Sequence, residues 1–165
     1  MTSAAVPSSH PRHREGQWLA LAVSFGAVAV VSVIGSLATD TGPGSWYAGL
    51  EQPSWNPPDW VFGPVWSVLY AAMAVAAWLV WRTGERRALV AYGVQLALNL
   101  AWTLTFFGLE STWGGVAVIA ALVVAIVVTI VGFARAHQLA AWLLVPYLAW
   151  TSYAAALTGA IALAS

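Results

Sequence analysis

Apolar residues in this chain come in long unbroken runs, separated by short polar breaks. Five runs stand out: Gln17–Ala38, Val61–Trp81, Ala88–Phe107, Trp113–Ala134 and Leu139–Ala164. Each holds about 20 residues or more. At a rise of about 1.5 Å per residue, such a segment crosses a hydrocarbon core of about 30 Å. Only a few residues separate the second run from the third, the third from the fourth and the fourth from the fifth, so those helices should be antiparallel neighbours. The pattern predicts an all-α membrane protein, a five-transmembrane-helix bundle, with helices at about 17–38, 58–81, 88–107, 113–134 and 139–164. Two segments stand outside it. Residues 1–16 are polar and rich in Ser, Pro and His, and read as a disordered tail. Residues 39–57 form one long loop. The first run is about twice the length of a signal-peptide apolar region, so it is expected to be a retained span.

Composition excludes a water-soluble domain. Hydrophobic residues make up 61% of the chain and charged residues 7%, against about 25% charged in a soluble domain. The few charges are sorted by side. With five spans, the tail and the second and fourth connections share one face, and they hold Arg12, Arg14, Arg82, Arg86, Arg87 and Arg135, which is every basic residue. The long loop, the third connection and the C-terminus share the other face. They carry Asp40, Glu51, Asp59 and Glu110 and no Lys or Arg. Basic loops stay inside, so the N-terminus is expected in the cytoplasm of a multi-pass protein of the cell membrane. Net charge is zero, which argues against a nucleic-acid partner. The chain has no cysteine, which removes disulfides, thiolate nucleophiles and sulfur-ligated metals. Its histidines, His10, His13 and His137, lie outside the spans, and no acid or base sits deep within one. A haem-ligating histidine, a His-based triad and a proton relay are therefore not expected.

Candidate chemistry concentrates in Ser45–Tyr70, where Trp46, Trp55, Trp60 and Trp66 are interleaved with Pro53, Pro57, Pro58 and Pro64. Proline stiffens a loop, and Pro57-Pro58 marks a helix start near Pro58, Asp59 or Trp60. Phe62, Trp66 and Tyr70 then follow at i, i+4 and i+8, an aromatic stripe on one helix face. An interfacial aromatic belt accounts equally well for Trp46, Trp55 and Trp60, but less well for Trp66 and Tyr70, which lie deeper. In the third span Gln95, Asn99, Trp102 and Phe106 share one face. A buried amide needs a hydrogen-bond partner, so these amides face either another helix or a ligand. In the fifth span Trp150 and Ala154 set a large ring beside a small residue, a gap that can admit a helix or a flat ligand. Gly35–Ser36 and Gly114–Gly115 read as points of close helix approach.

Three blocks of residues together resemble a known family. They are Trp46-Tyr47, Leu50, Pro53-Ser54-Trp55, Pro57-Pro58, Phe62, Trp66 and Leu69-Tyr70; then Leu98-Asn99-Leu100-Ala101-Trp102 with Phe106-Phe107; then Trp142 to Tyr147 with Trp150. In this order and on these helices they resemble the tryptophan-rich sensory protein/translocator protein (TspO/MBR) family, over about residues 18–160, as in its bacterial members. The resemblance implies a five-helix bundle, often a homodimer, that binds a porphyrin such as protoporphyrin IX or haem as a ligand and requires no cofactor. It carries the family's pocket onto Tyr47, Pro57, Trp66, Tyr70, Asn99, Trp102, Trp150 and Ala154, between helices 2, 3 and 5 and capped by the long loop. Phe62 and Phe106 join it from the helical spacing. The two tryptophans tied to porphyrin breakdown fall on Trp66 and Trp150. One departure is informative: the sterol pattern of animal members needs a basic residue after a fifth-helix tyrosine, and no basic residue follows Arg135.

The expected function is therefore a membrane-embedded, tetrapyrrole-binding sensory or regulatory protein. Light- or oxygen-dependent breakdown of protoporphyrin IX through Trp66 and Trp150 is the alternative, and porphyrin transport a second. Binding is preferred because the residues supply an aromatic pocket but no acid–base pair, metal site or inverted repeat.

Overall fold

The structure, a computed structural model, describes the backbone of residues 11–165 and the side chains of residues 16–165. It contains five long helices: α1 (Pro11–Ala38), α2 (Phe62–Trp81), α3 (Arg86–Thr103), α4 (Thr112–Ala136) and α5 (Gln138–Ala164). All five are long and apolar enough to span a membrane, and no strand occurs among the described residues. The chain is thus a multi-pass integral membrane protein. α1 begins at Pro11 rather than Gln17, so the segment expected to be a tail is helical over its last residues. Proline suits a first helical turn because the N–H it lacks would have no intrahelical partner there. The rest of the expected tail, residues 1–10, lies outside the described residues.

Around the bundle α1 packs on α2, α2 on α5, α5 on α4 and α4 on α3. α3 returns to α1 and α2 through sparser contacts, and that loose seam is where the site opens. The connections are shorter than expected. α4 and α5 are separated by His137 alone, whose extended backbone (φ −158°, ψ 106°) turns the chain. α4 is started by Ser111, whose Oγ accepts a hydrogen bond from the Gly114 N–H at 3.2 Å, which satisfies one of the open donors of the first turn.

Lipid has no hydrophobic preference for lipid over helix, so close packing and internal hydrogen bonds hold such a bundle together. The centre is filled by Met73, Ile119, Leu122, Ile126, Phe133 and Leu144, all essentially inaccessible. Outward faces are apolar, as a lipid-facing surface must be: Leu37, Val68, Val90, Val124 and Leu163 are all exposed. Exposed tryptophans gather at the two ends. Trp18, Trp81 and Trp142 lie at the arginine-bearing end, and Trp55, Trp60 and Trp113 at the other, which matches the two aromatic belts of a bilayer protein. At the arginine end the Trp78 indole N–H donates to the Gln17 carbonyl at 3.0 Å, while the Arg82 guanidinium sits 4.9 Å from the Trp78 ring centre.

Candidate functional site

The long loop is a built structure. Trp46 leads into a single 3₁₀ turn, Tyr47–Gly49, and a second turn, Asp59–Val61, runs directly into α2 behind Pro58. Tyr47 is 2% exposed. Its hydroxyl donates to Asn56 Oδ1 at 3.0 Å, the Gln52 amide donates to the Tyr47 carbonyl at 2.8 Å, and Asn56 donates to Gln52 Oε1 at 2.6 Å. A further tie reaches α5, where the Tyr153 hydroxyl donates to the Trp55 carbonyl at 2.7 Å.

Under the loop, α3 ends in a π turn over Leu104–Gly108, closed by the Leu109 N–H on the Leu104 carbonyl at 2.9 Å. The extra residue in the turn places two consecutive rings, Phe106 and Phe107, against the same loop. Phe106 stacks on Trp102 (centroids 6.2 Å, interplanar 15°) and meets Trp46 edge-on at 5.4 Å. Phe107 lies 5.5 Å from Tyr47. Phe106 can sit there because Gly115 has no side chain: a Cβ at that position would lie 2.6 Å from Phe106 Cδ2. The helix approach expected at Gly114–Gly115 is thus specific, since it makes room for a ring. Gly115→Ala is expected to lower stability by about 1–3 kcal/mol through overpacking and to loosen the loop, as read by thermal unfolding in micelles and by proteolysis at residues 39–57.

The burial of Tyr47 and the negative charge of Asp59 hold its hydroxyl pKa above the ordinary 10.0. The folded state therefore favours the protonated phenol more than the unfolded state does. The contribution is complete below pH 10.0 and is lost as pH rises through the folded value. Alkaline titration is thus expected to release the loop, and Tyr47→Phe should remove that alkaline step.

Between α2, α3 and α5 the interior is closed by a polar chain. The Tyr70 hydroxyl donates to Asn99 Oδ1 at 2.8 Å, and Asn99 Nδ2 donates to the Tyr147 hydroxyl at 3.2 Å. Asn99 and Tyr147 are both buried. Of the two roles open to Asn99, the structure displays the helix bridge. Gln95, one turn earlier, reaches only the Met73 sulfur, at 3.9 Å, and its Oε1 has no partner.

The open space lies on the other side of Trp66. A cavity of about 310 Å³ is lined by Phe62, Trp66 and Tyr70 of α2, Trp102, Thr103 and Phe107 at the end of α3, and Ser32, Gly35, Ser36 and Thr39 of α1. Thr41, Asp59, Gly63 and Ser67 complete its wall. The expected pocket between helices 2, 3 and 5 therefore differs from the cavity observed, which has α1 in place of α5. Four of the expected residues, Phe62, Trp66, Tyr70 and Trp102, line it. Tyr47 and Phe106 are buried behind it and support Trp102 and Phe107. Pro57 is in the loop wall and Ala154 is buried on α5, neither on the cavity surface. Trp150 joins the cluster indirectly, edge-on to Phe62 at 5.9 Å and stacked on Tyr153 at 5.7 Å. The indole N–H groups of Trp102 and Trp150 have no hydrogen-bond partner. The α1 wall was missed by sequence reasoning, although Ser32, Ser36 and Thr39 recur at i, i+4 and i+7, the spacing of one helix face.

Comparison with known proteins places residues 23–163 within the TspO/MBR family. The tryptophan-rich protein TspO of Chlorobaculum tepidum is 43% identical over 144 residues, covering 84% of this chain and 90% of that protein. The human translocator protein is 46% identical over 116 residues, 66% of this chain and 68% of its own. The CrtK protein of Rhodobacter capsulatus is 37% identical over 141 residues, 82% and 86% respectively.

Proposed function

The chain belongs to the TspO/MBR family, and from that premise we propose that it is a membrane-embedded sensory or regulatory protein whose ligand is a tetrapyrrole. One observation carries the reading. Phe62, Trp66, Tyr70, Trp102 and Phe107 line one cavity, and Thr41 and Asp59 line it from the long loop and its junction with α2. Aromatic lining with a few polar groups suits a large flat apolar ligand, and stacking with burial supplies most of the affinity. The name of a relative from Cereibacter sphaeroides, 39% identical over 116 residues, is tryptophan-rich sensory protein, which agrees with a sensory role. The proposal includes the homodimer and the cytoplasmic N-terminus expected above. Reporter fusions at each end test the orientation, and an external N-terminus would contradict it.

Breakdown of the bound porphyrin is the second reading, favoured by one feature: Trp66, an oxidisable ring, lines the cavity within 6.4 Å of Trp102. Protoporphyrin IX added to purified protein, followed spectrally in the dark and in light, separates the two. Spectral perturbation without a new product supports binding. A new absorbing product that disappears in Trp66→Phe and Trp150→Phe, but persists in the lipid-facing control Trp18→Phe, supports breakdown.

A further inference from the structure

A second hollow lies at the arginine-bearing end of the bundle, away from the aromatic cavity. About 520 Å³ in volume, it is lined by Trp81 at the end of α2, Gly84 in the turn, and Arg86, Leu89 and Val90 of α3. Leu89 and Val90 follow Arg86 at i+3 and i+4, so a cation and two apolar side chains share one helix face. Trp81 and Val90 are 44% and 67% exposed, which carries the apolar wall out onto the lipid-facing surface. The turn spends its own donors. The Thr83 N–H donates to the Val80 carbonyl at 3.0 Å, the Gly84 N–H to the Trp81 carbonyl at 3.1 Å and the Arg86 N–H to the Gly84 carbonyl at 2.9 Å. Gly84 permits this closure with a left-handed φ of 82°. Arg82 is engaged elsewhere, its guanidinium against Trp78. The cation in the lining is therefore Arg86, which is exposed. Its surroundings share its sign, since this end holds all six arginines of the chain against two glutamates, Glu15 and Glu85.

We infer that this hollow is a binding site for one anionic phospholipid. Its headgroup phosphate pairs with the Arg86 guanidinium, whose planar fork suits two phosphate oxygens at once. An acyl chain lies along Leu89, Val90 and the Trp81 ring. A lipid is favoured over a soluble phosphate ester because the wall beside the arginine is apolar and open to the bilayer, and only a ligand with a hydrocarbon tail gains from covering it. An anionic headgroup is favoured over a zwitterionic one because the neighbouring arginines attract net negative charge. α2 and α3 pack sparsely on each other, so a lipid seated at their junction clamps this hairpin at the end opposite the aromatic cavity. The site stands independently of the tetrapyrrole reading.

Native mass spectrometry of the full chain, released from uncharged detergent, counts bound lipid directly. The first phosphatidylglycerol is expected to bind about fivefold more tightly than phosphatidylcholine with the same chains. Arg86→Gln should remove most of that preference. Arg135→Gln deletes one charge from the same end without touching the hollow, and should leave the preference intact. Soluble glycerol phosphate in excess should not displace the lipid. Equal binding of the two lipids, equal losses in Arg86→Gln and Arg135→Gln, or displacement by glycerol phosphate would overturn the inference. Val90→Trp keeps every charge and fills the hollow from a lipid-facing position, so it reads the site even where Arg86→Gln fails to fold. Weaker phosphatidylglycerol binding by about fivefold or more is expected in Val90→Trp, and binding as tight as in the parent would overturn the site.

Discussion

Phe106→Ala is expected to lower the stability of the bundle by about 3–5 kcal/mol, the range for truncating a buried aromatic, and to free the long loop. Phe106 is 2% exposed and touches rings from three places in the chain. It stacks on Trp102 within α3, meets Trp46 and Tyr47 in the loop, and crosses Phe107 at 4.9 Å. Removing it leaves a void under the loop and takes one wall from Trp102, which lines the cavity. Thermal unfolding in micelles reads the stability, and hydrogen exchange over residues 39–57 reads the loop. Phe106→Leu keeps much of the volume and should fall between the two. A loop as protected as in the parent would contradict its seating on this ring.

The second large effect is expected at Asn99. Asn99→Leu removes both ends of a bridge from α2 to α5 and strands the hydroxyls of Tyr70 and Tyr147. Leaving buried polar groups unsatisfied costs about 1–3 kcal/mol each, so a loss of about 3 kcal/mol is expected. Replacing both sides is milder than replacing one. The triple variant Asn99→Leu, Tyr70→Phe, Tyr147→Phe should therefore recover a large part of the loss, which unfolding measurements on the series would show. No recovery would place the role of Asn99 in packing rather than in the hydrogen-bonded bridge.

Much of this architecture was legible in the sequence. Five apolar runs, each long enough to span the bilayer, gave the helices, and the short connections between the last four gave their antiparallel order. That Phe62, Trp66, Tyr70 and Trp102 share a cavity wall was legible in part, because Phe62, Trp66 and Tyr70 recur at helical spacing and Trp66 and Tyr70 sit deeper than a belt requires. The first wall was not. The hydroxyls of Ser36 and Thr39 bond to the carbonyls of their own helix, so they blend into an ordinary apolar span, and no local pattern announces which neighbour they face. The π turn was also hidden: spacing places Phe106 on the Asn99 face, but only the wider turn brings Phe107 to the cavity beside it. Trp150 and Ala154 lie on the expected helix but not on the cavity wall: Trp150 meets the lining ring of Phe62 edge-on, and Ala154 is buried on α5. Helix ends were the least legible, since proline and a single extended residue set them at Pro11 and His137.

The central claim is that a tetrapyrrole occupies the cavity between α1, α2 and α3. Ser67 lies on its wall, exposed, and has no hydrogen bond to the Asn99 bridge, so Ser67→Trp is expected to fill the space without disturbing that bridge. The decisive measurement is a dark titration of the purified protein with protoporphyrin IX, in parallel with Ser67→Trp and with the lipid-exposed control Trp113→Phe. The account predicts saturable quenching in the parent and the control, and its loss in Ser67→Trp with thermal stability retained. Quenching that never saturates, or saturates alike in all three proteins, would contradict it.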